Sequence, residues 1–233
     1  MKKIIAFLLL SFFILLSGCA ANTLSQKPIV PKTYNGWITV KFNNEVEFQM
    51  PPTLEIQSDI YKNRLKELNP RLYELSYPEG RNWIILQQKG LNDRTKEAFN
   101  HFVRVFVYII DSKDEYPAFG KPLGFSNTDL RDFENIIVQG EKAKSQENGI
   151  PIQVLGVTTP AHVVNINGAE FVHMAYDTKS GNNPVANREL YVCLNKKKMY
   201  KISMMIRSTE RGLWTSGNND VRNLVQTFKL IKY

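Results

Sequence analysis

The dipeptide Asn167-Gly168 stands between two stretches, 154–166 and 169–177, in which apolar and polar residues alternate. Asn and Gly both tolerate positive φ, so together they form the two-residue type I′ turn whose twist matches paired antiparallel strands. Such a turn fixes register as well as connection. Paired positions then sum to 335, which sets His162 opposite His173. Both imidazoles fall on the face of Val164, Ile166 and Phe171, and Glu170 falls on the other.

The same period of two recurs along the chain. Residues 37–42 and 46–50 form a hairpin about Asn43-Asn44, closed by Pro51-Pro52. Tyr73, Leu75 and Tyr77 alternate as a strand up to Pro78-Glu79-Gly80, with 83–88 as its partner. Residues 102–110 are the most apolar strand, and 188–194 with 199–207 read as a last hairpin about Lys196-Lys197. Helical spacing is rarer. Ser58 caps a short helix with Tyr61, Leu65 and Leu68 on one face, stopped by Asn69-Pro70, and 93–100 can make a further turn. Residues 128–147 form the best helix, with Leu130, Phe133, Ile136, Ile137 and Gly140 on one side and charges on the other, ended by Gly149 and Pro151. A closing helix from about 218 carries Val221, Leu224, Val225 and Phe228. Hairpins joined to amphipathic helices predict an α+β fold: a largely antiparallel sheet of six to eight strands flanked by helices. At 43% hydrophobic and 22% charged residues, with 2 Cys, the chain is neither disordered nor stapled by disulfides.

The first residues follow another pattern. Lys2 and Lys3 precede the apolar run 4–16, which at about 13 residues is too short to span a bilayer and suits a signal-peptide core. Directly after it, Leu16-Ser17-Gly18-Cys19 resembles the lipobox of bacterial lipoproteins. The resemblance implies acylation of Cys19, cleavage just before it and a membrane as partner. It divides the chain into a signal peptide at 1–18, a lipidated tether at 19–35 containing Pro28 and Pro31, and one domain at 36–233. The expected location is extracytoplasmic, anchored to the cell membrane, or to the outer membrane where the host has one, since Ala20 follows the Cys. Losing 1–18 removes two Lys and no acid, so the net charge falls from +8 to +6. The only triple basic run is Lys196-Lys197-Lys198, and no interleaved aromatic motif points to nucleic acid.

The order of hairpin, long central helix, two hairpins and a short helix ending in Gln226-Thr227-Phe228-Lys229-Leu230 resembles the PsbP-like α/β/α sandwich, including bacterial lipoproteins of the DcrB type. That resemblance implies binding and accessory roles in the cell envelope, with an envelope protein or polymer as partner.

Candidate site residues are few. His162 and His173 could share one metal ion, although zinc wants three or four ligands and the others are unidentified. Trp214, between Gly212 and Gly217, and Phe119 and Phe125, in the Gly- and Pro-rich loop 117–127, are candidate partner anchors on loops. His101 reads as an ordinary residue before a strand. Cys193, alone once Cys19 carries lipid, reads as a small core residue in a strand. No phosphate loop, nucleophile elbow or zinc-protease helix occurs, which leans away from an enzyme and assigns no catalytic residue. Three readings follow: a non-catalytic binding module with no cofactor beyond the covalent lipid, a metal-binding protein, and a hydrolase of envelope polymers.

Overall fold

Among the residues that the computed structural model describes, 32–70, 73–74, 77, 82–148 and 151–231, nine strands pair into two sheets. Cys19, the signal peptide and most of the tether lie outside these residues. The smaller sheet has the order β1-β2-β9, from Ile38–Phe42, Val46–Met50 and Lys229–Leu230. The larger has the order β3-β4-β5-β8-β7-β6, from Leu54–Ile56, Asn82–Gln88, Val103–Tyr116, Ala186–Arg207, Ala169–Ser180 and Ile152–Ile166. Every pairing among them is antiparallel. Helix α1 (Asp59–Leu68) joins β3 to β4, the turn α2 (Lys96–Phe99) precedes β5, and α3 (Asn127–Asn148) carries the chain from β5 to the far edge at β6. Two short helices, α4 (Arg211–Trp214) and α5 (Asn223–Gln226), lead to β9. None of the described helices is long and apolar enough to cross a membrane. The fold is α+β, with antiparallel sheets flanked by helices.

Alternation decides what each face of the large sheet buries. Val105, Val107, Phe171, Ile202 and Met204 point to the main core, which the small sheet and α5 close through Val46, Phe48, Leu224, Val225 and Phe228. Met174, Tyr176, Leu190 and Val192 point the other way, where α3 lays Phe133 and Ile137 on them. Asn43 and Asn44 both take positive φ, as the first hairpin requires, and so do Asn167 and Gly168 in the second.

Three expectations are corrected. Residues 73–74 are helical, not strand: the Tyr77 N–H donates to the Tyr73 carbonyl at 2.7 Å and the Tyr73 N–H to Asn69 at 3.0 Å. Positions 73 and 77 satisfy a helical repeat as well as a period of two. In α1, Ser58 caps as expected, its Oγ accepting from the Tyr61 N–H at 3.1 Å, but the Tyr61-Leu65-Leu68 face is not a core face and Leu68 is 74% exposed. On α3, Ile136 is 40% exposed, while Glu141, on the line of Phe133 and Ile137, is buried beside Tyr176 and Arg188. The expected hairpin of 188–194 with 199–207 is present within β8: its first half pairs with β7, its second half with β5, and the Ser208 N–H donates to the Val185 carbonyl at 2.9 Å, joining the residues that flank its two ends.

Candidate functional site

Two neighbourhoods gather titratable side chains around the candidate His and Trp residues. The first lies where β6, β7 and β8 run side by side. Here the Asn-Gly turn sets the register as anticipated: Ile166 pairs with Ala169, Val164 with Phe171 and His162 with His173. The two imidazoles meet edge to face, with centroids 5.0 Å apart and planes at 79°. His162 is exposed, and its Nδ1 lies 2.8 Å from the Pro160 carbonyl oxygen. A carbonyl only accepts, so Nδ1 is the donor in this contact, and in the neutral ring Nε2 is then the nitrogen with the lone pair. His173 is half-buried and stacks on Tyr191 at 4.2 Å and 18°. Its Nε2 is buried without a hydrogen-bond partner, and Glu189 Oε2 stands 3.8 Å away, within reach of an ion pair but too far for a hydrogen bond. Glu189 accepts from the Tyr191 hydroxyl at 3.3 Å, and burial, reinforced by this carboxylate, raises the Tyr191 pKa and keeps it a donor. The pair supplies two nitrogens. No group of three His, Cys, Asp or Glu among the described residues is placed to hold a metal ion.

The second neighbourhood is an open cleft of about 560 Å³ between residues 52–55, 88–101 and 213–219. Glu210, in the turn before α4, organises one side of it. Its Oε2 accepts from the Phe102 N–H at 2.8 Å and from Trp214 Nε1 at 3.3 Å, and its Oε1 from Arg207 at 3.1 Å. His101 Nδ1 lies 3.5 Å from the same Oε2, and its ring stands edge-on to Trp214 at 6.4 Å. His101 is therefore not the isolated residue its sequence context suggests. Residues from three segments far apart in the chain build this place, and no local motif announces it.

Trp214 is 4% exposed and belongs to the main core, because α4 turns the indole inward where the sequence suggested an exposed loop anchor. The edge it keeps forms part of the cleft wall. Phe119 is half-buried against the core, its N–H donating to Asn195 Oδ1 at 2.9 Å, and Phe125 is half-buried as well. Cys193 is buried in the core, and burial pushes its thiol up to about 12. The structure thus brings His162 to His173, buries Trp214 in the main core and packs Phe119 against that core.

No protein-family model and no curated protein matches this chain. Among solved structures it is similar to the solution structure of cyanobacterial PsbP (CyanoP) from Synechocystis sp. PCC 6803, at 13% identity and a TM-score of 0.48, covering 88% of this chain and 99% of that one. It is also similar to a crystal structure from Bacteroides thetaiotaomicron, at 7% identity and a TM-score of 0.39. That match covers 80% of this chain and 45% of the other, less than half its length.

Proposed function

We propose that the chain is an extracytoplasmic lipoprotein, held on a membrane by acyl chains on Cys19, whose domain is a non-catalytic binding or accessory module of the cell envelope. The observation that carries this reading is Leu16-Ser17-Gly18-Cys19 directly behind a short apolar run. One acyl chain holds a protein only marginally at a bilayer and two or three hold it firmly, so a lipidated Cys19 suffices as anchor. Tyr34 and Trp37 already pack on the core ahead of the first strand at Ile38, well beyond Cys19, so lipidation of Cys19 does not compete with folding. The membrane is the cell membrane, or the outer membrane of a host with two, and the further partner is an envelope protein or polymer. Cells grown with radiolabelled palmitate should label the full chain and fail to label the Cys19→Ala variant. Equal labelling of both removes the anchor.

A second reading, a metal held by the cross-strand pair, is favoured by the direct opposition of His162 and His173 and by the lone pair left on His162 Nε2. Zinc or copper titrated into the full chain should then release heat that His162→Ala abolishes, and the absence of any heat removes this reading.

A further inference from the structure

We propose that β1 is an interaction edge whose partner is β1 of a second copy of this chain, paired antiparallel about Val40. An edge strand offers a row of unpaired N–H and C=O groups, and proteins blunt such edges where nothing is meant to pair with them. The two sheets have four edges among the described residues: β1, β9, β3 and β6. Three of them are blunted. β9 is two residues long and β3 three, with Pro51-Pro52 just ahead of it. β6 is long, but its register shifts three times and Pro160 lies within it. Helix α3 also takes two of its N–H groups, that of Ile152 through Ser145 Oγ at 2.8 Å and that of Ala161 through Glu134 at 3.1 Å.

β1 carries none of these protections. Its five residues run in unbroken register against β2, from Ile38 opposite Met50 to Phe42 opposite Val46. It holds no proline, and among the described residues the backbone of 38–41 bonds to nothing beyond β2. Apolar surface marks the same edge. Val40 is buried in the main core, whereas Ile38, on the same face of the strand, is 53% exposed and Phe42 is half-buried. A strand laid along β1 covers both.

The order of side chains selects the occupant. Two β1 strands paired antiparallel about Val40 set Ile38 opposite Phe42 and Thr39 opposite Lys41, each twice. Each exposed apolar side chain then meets one from the other copy, and no lysine faces a lysine. Parallel pairing in register stacks Lys41 on Lys41, and an antiparallel slip of one residue brings Lys41 to the apolar face beside Val40. The pairing is two-fold, so it closes at two copies and does not run on into a fibre. Five residues a side fall short of the roughly 20–30 of a stable interface, so the dimer is weak and depends on concentration. It involves the domain alone and does not require the lipid anchor.

The experiment co-expresses two differently tagged full chains, one Thr39→Cys and the other Lys41→Cys, and oxidises the lysate with copper phenanthroline. Both positions are exposed, so neither substitution strikes the core, and the native Cys193 is buried. Opposed positions lie about 4.5–5.5 Å apart, within disulfide reach, so the mixed pair should cross-link. Position 39 to 39, or 41 to 41, is a diagonal of about 8 Å, so either variant alone should cross-link at least about fivefold less. Charge gives a second readout. In sedimentation equilibrium of the full chain in detergent, Thr39→Glu, opposed to Lys41, should self-associate about tenfold more tightly than Thr39→Lys. A mixed pair that cross-links no better than the single variants, or an affinity indifferent to the charge at position 39, overturns the pairing. A cross-link from Thr39→Cys to a different protein, with none between copies, overturns it as well and shows the edge serving a foreign strand.

Discussion

Cys193 shows how far one side chain can be read from its neighbours. Leu190, Tyr191, Val192 and Leu194 surround it with strand-type residues, and the structure places it on the core side of β8. Burial in an apolar setting disfavours the thiolate and raises the pKa from its ordinary 9.0 to about 12. Since the thiolate is the nucleophile, iodoacetamide at pH 8 should leave Cys193 unmodified in the folded chain and alkylate it quickly in guanidinium. Rapid labelling of the native protein contradicts the burial. The linkage has a definite sign. The folded pKa is the higher one, so the stabilisation from the neutral thiol is complete below about 9 and is lost as pH rises from there towards about 12. Cys193→Ala should therefore lose less stability over that window than the parent, measured by urea midpoints. Glu210 is the opposite case. Its partner Phe102 lies 108 positions away, and nothing local to Ser208-Thr209-Glu210 signals that this carboxylate holds Trp214 and His101 at a cleft.

The elements were legible where a turn residue and a period agreed. Asn167-Gly168 fixes a register that puts His162 opposite His173, because a slip of one residue would have sent Phe171 and Ile166 out of the core. Strand β8 was legible by the same logic. Tyr191 and Cys193 face the core at odd positions, whereas Tyr200, Ile202, Met204 and Ile206 face it at even ones. That shift of phase about Lys196, at φ +52°, is what a turn imposes when one arm folds back on the other. The open end agrees, since the Ser208 N–H donates to the Val185 carbonyl at 2.9 Å. Asp111 and Lys198 are cross-strand neighbours with side chains 3.8 Å apart, so Asp111→Cys with Lys198→Cys should form a disulfide in air. Leu194→Cys with Met199→Cys is the pair that the hairpin joins, and it should form a disulfide as well, as mass spectrometry of the tryptic peptides would record. A 194/199 pair that stays reduced contradicts the hairpin.

The whole molecule closes by bringing its distant parts onto one turn. The small sheet joins the first hairpin to the C-terminal segment, with Val46 opposite Leu230, Glu47 opposite Lys229 and a Lys229–Glu47 ion pair at 2.5 Å. Phe228 is buried between Phe171 and Tyr200, so the last turn of chain seals the main core. What positions that seal is the side chain of Asn167, whose Nδ2 donates to the Gln226 and Phe228 carbonyls, each at 2.8 Å. The hairpin turn and the C-terminal pattern Gln226 to Leu230, which look unrelated along the sequence, are bonded to each other. Asn167 therefore does two jobs, and two substitutions separate them. Asn167→Gly keeps the positive φ and loses both hydrogen bonds, at about 0.5–1.5 kcal/mol each, so it should lower stability by about 1–3 kcal/mol. Asn167→Ala loses the bonds and also strains the left-handed backbone at φ +52°, adding about 1 kcal/mol. Urea unfolding of the three proteins should rank parent above Gly above Ala with unchanged slopes. A Gly variant as stable as the parent would mean that the clamp on the C-terminal segment contributes nothing, and that the core is sealed by Phe228 and Leu230 alone.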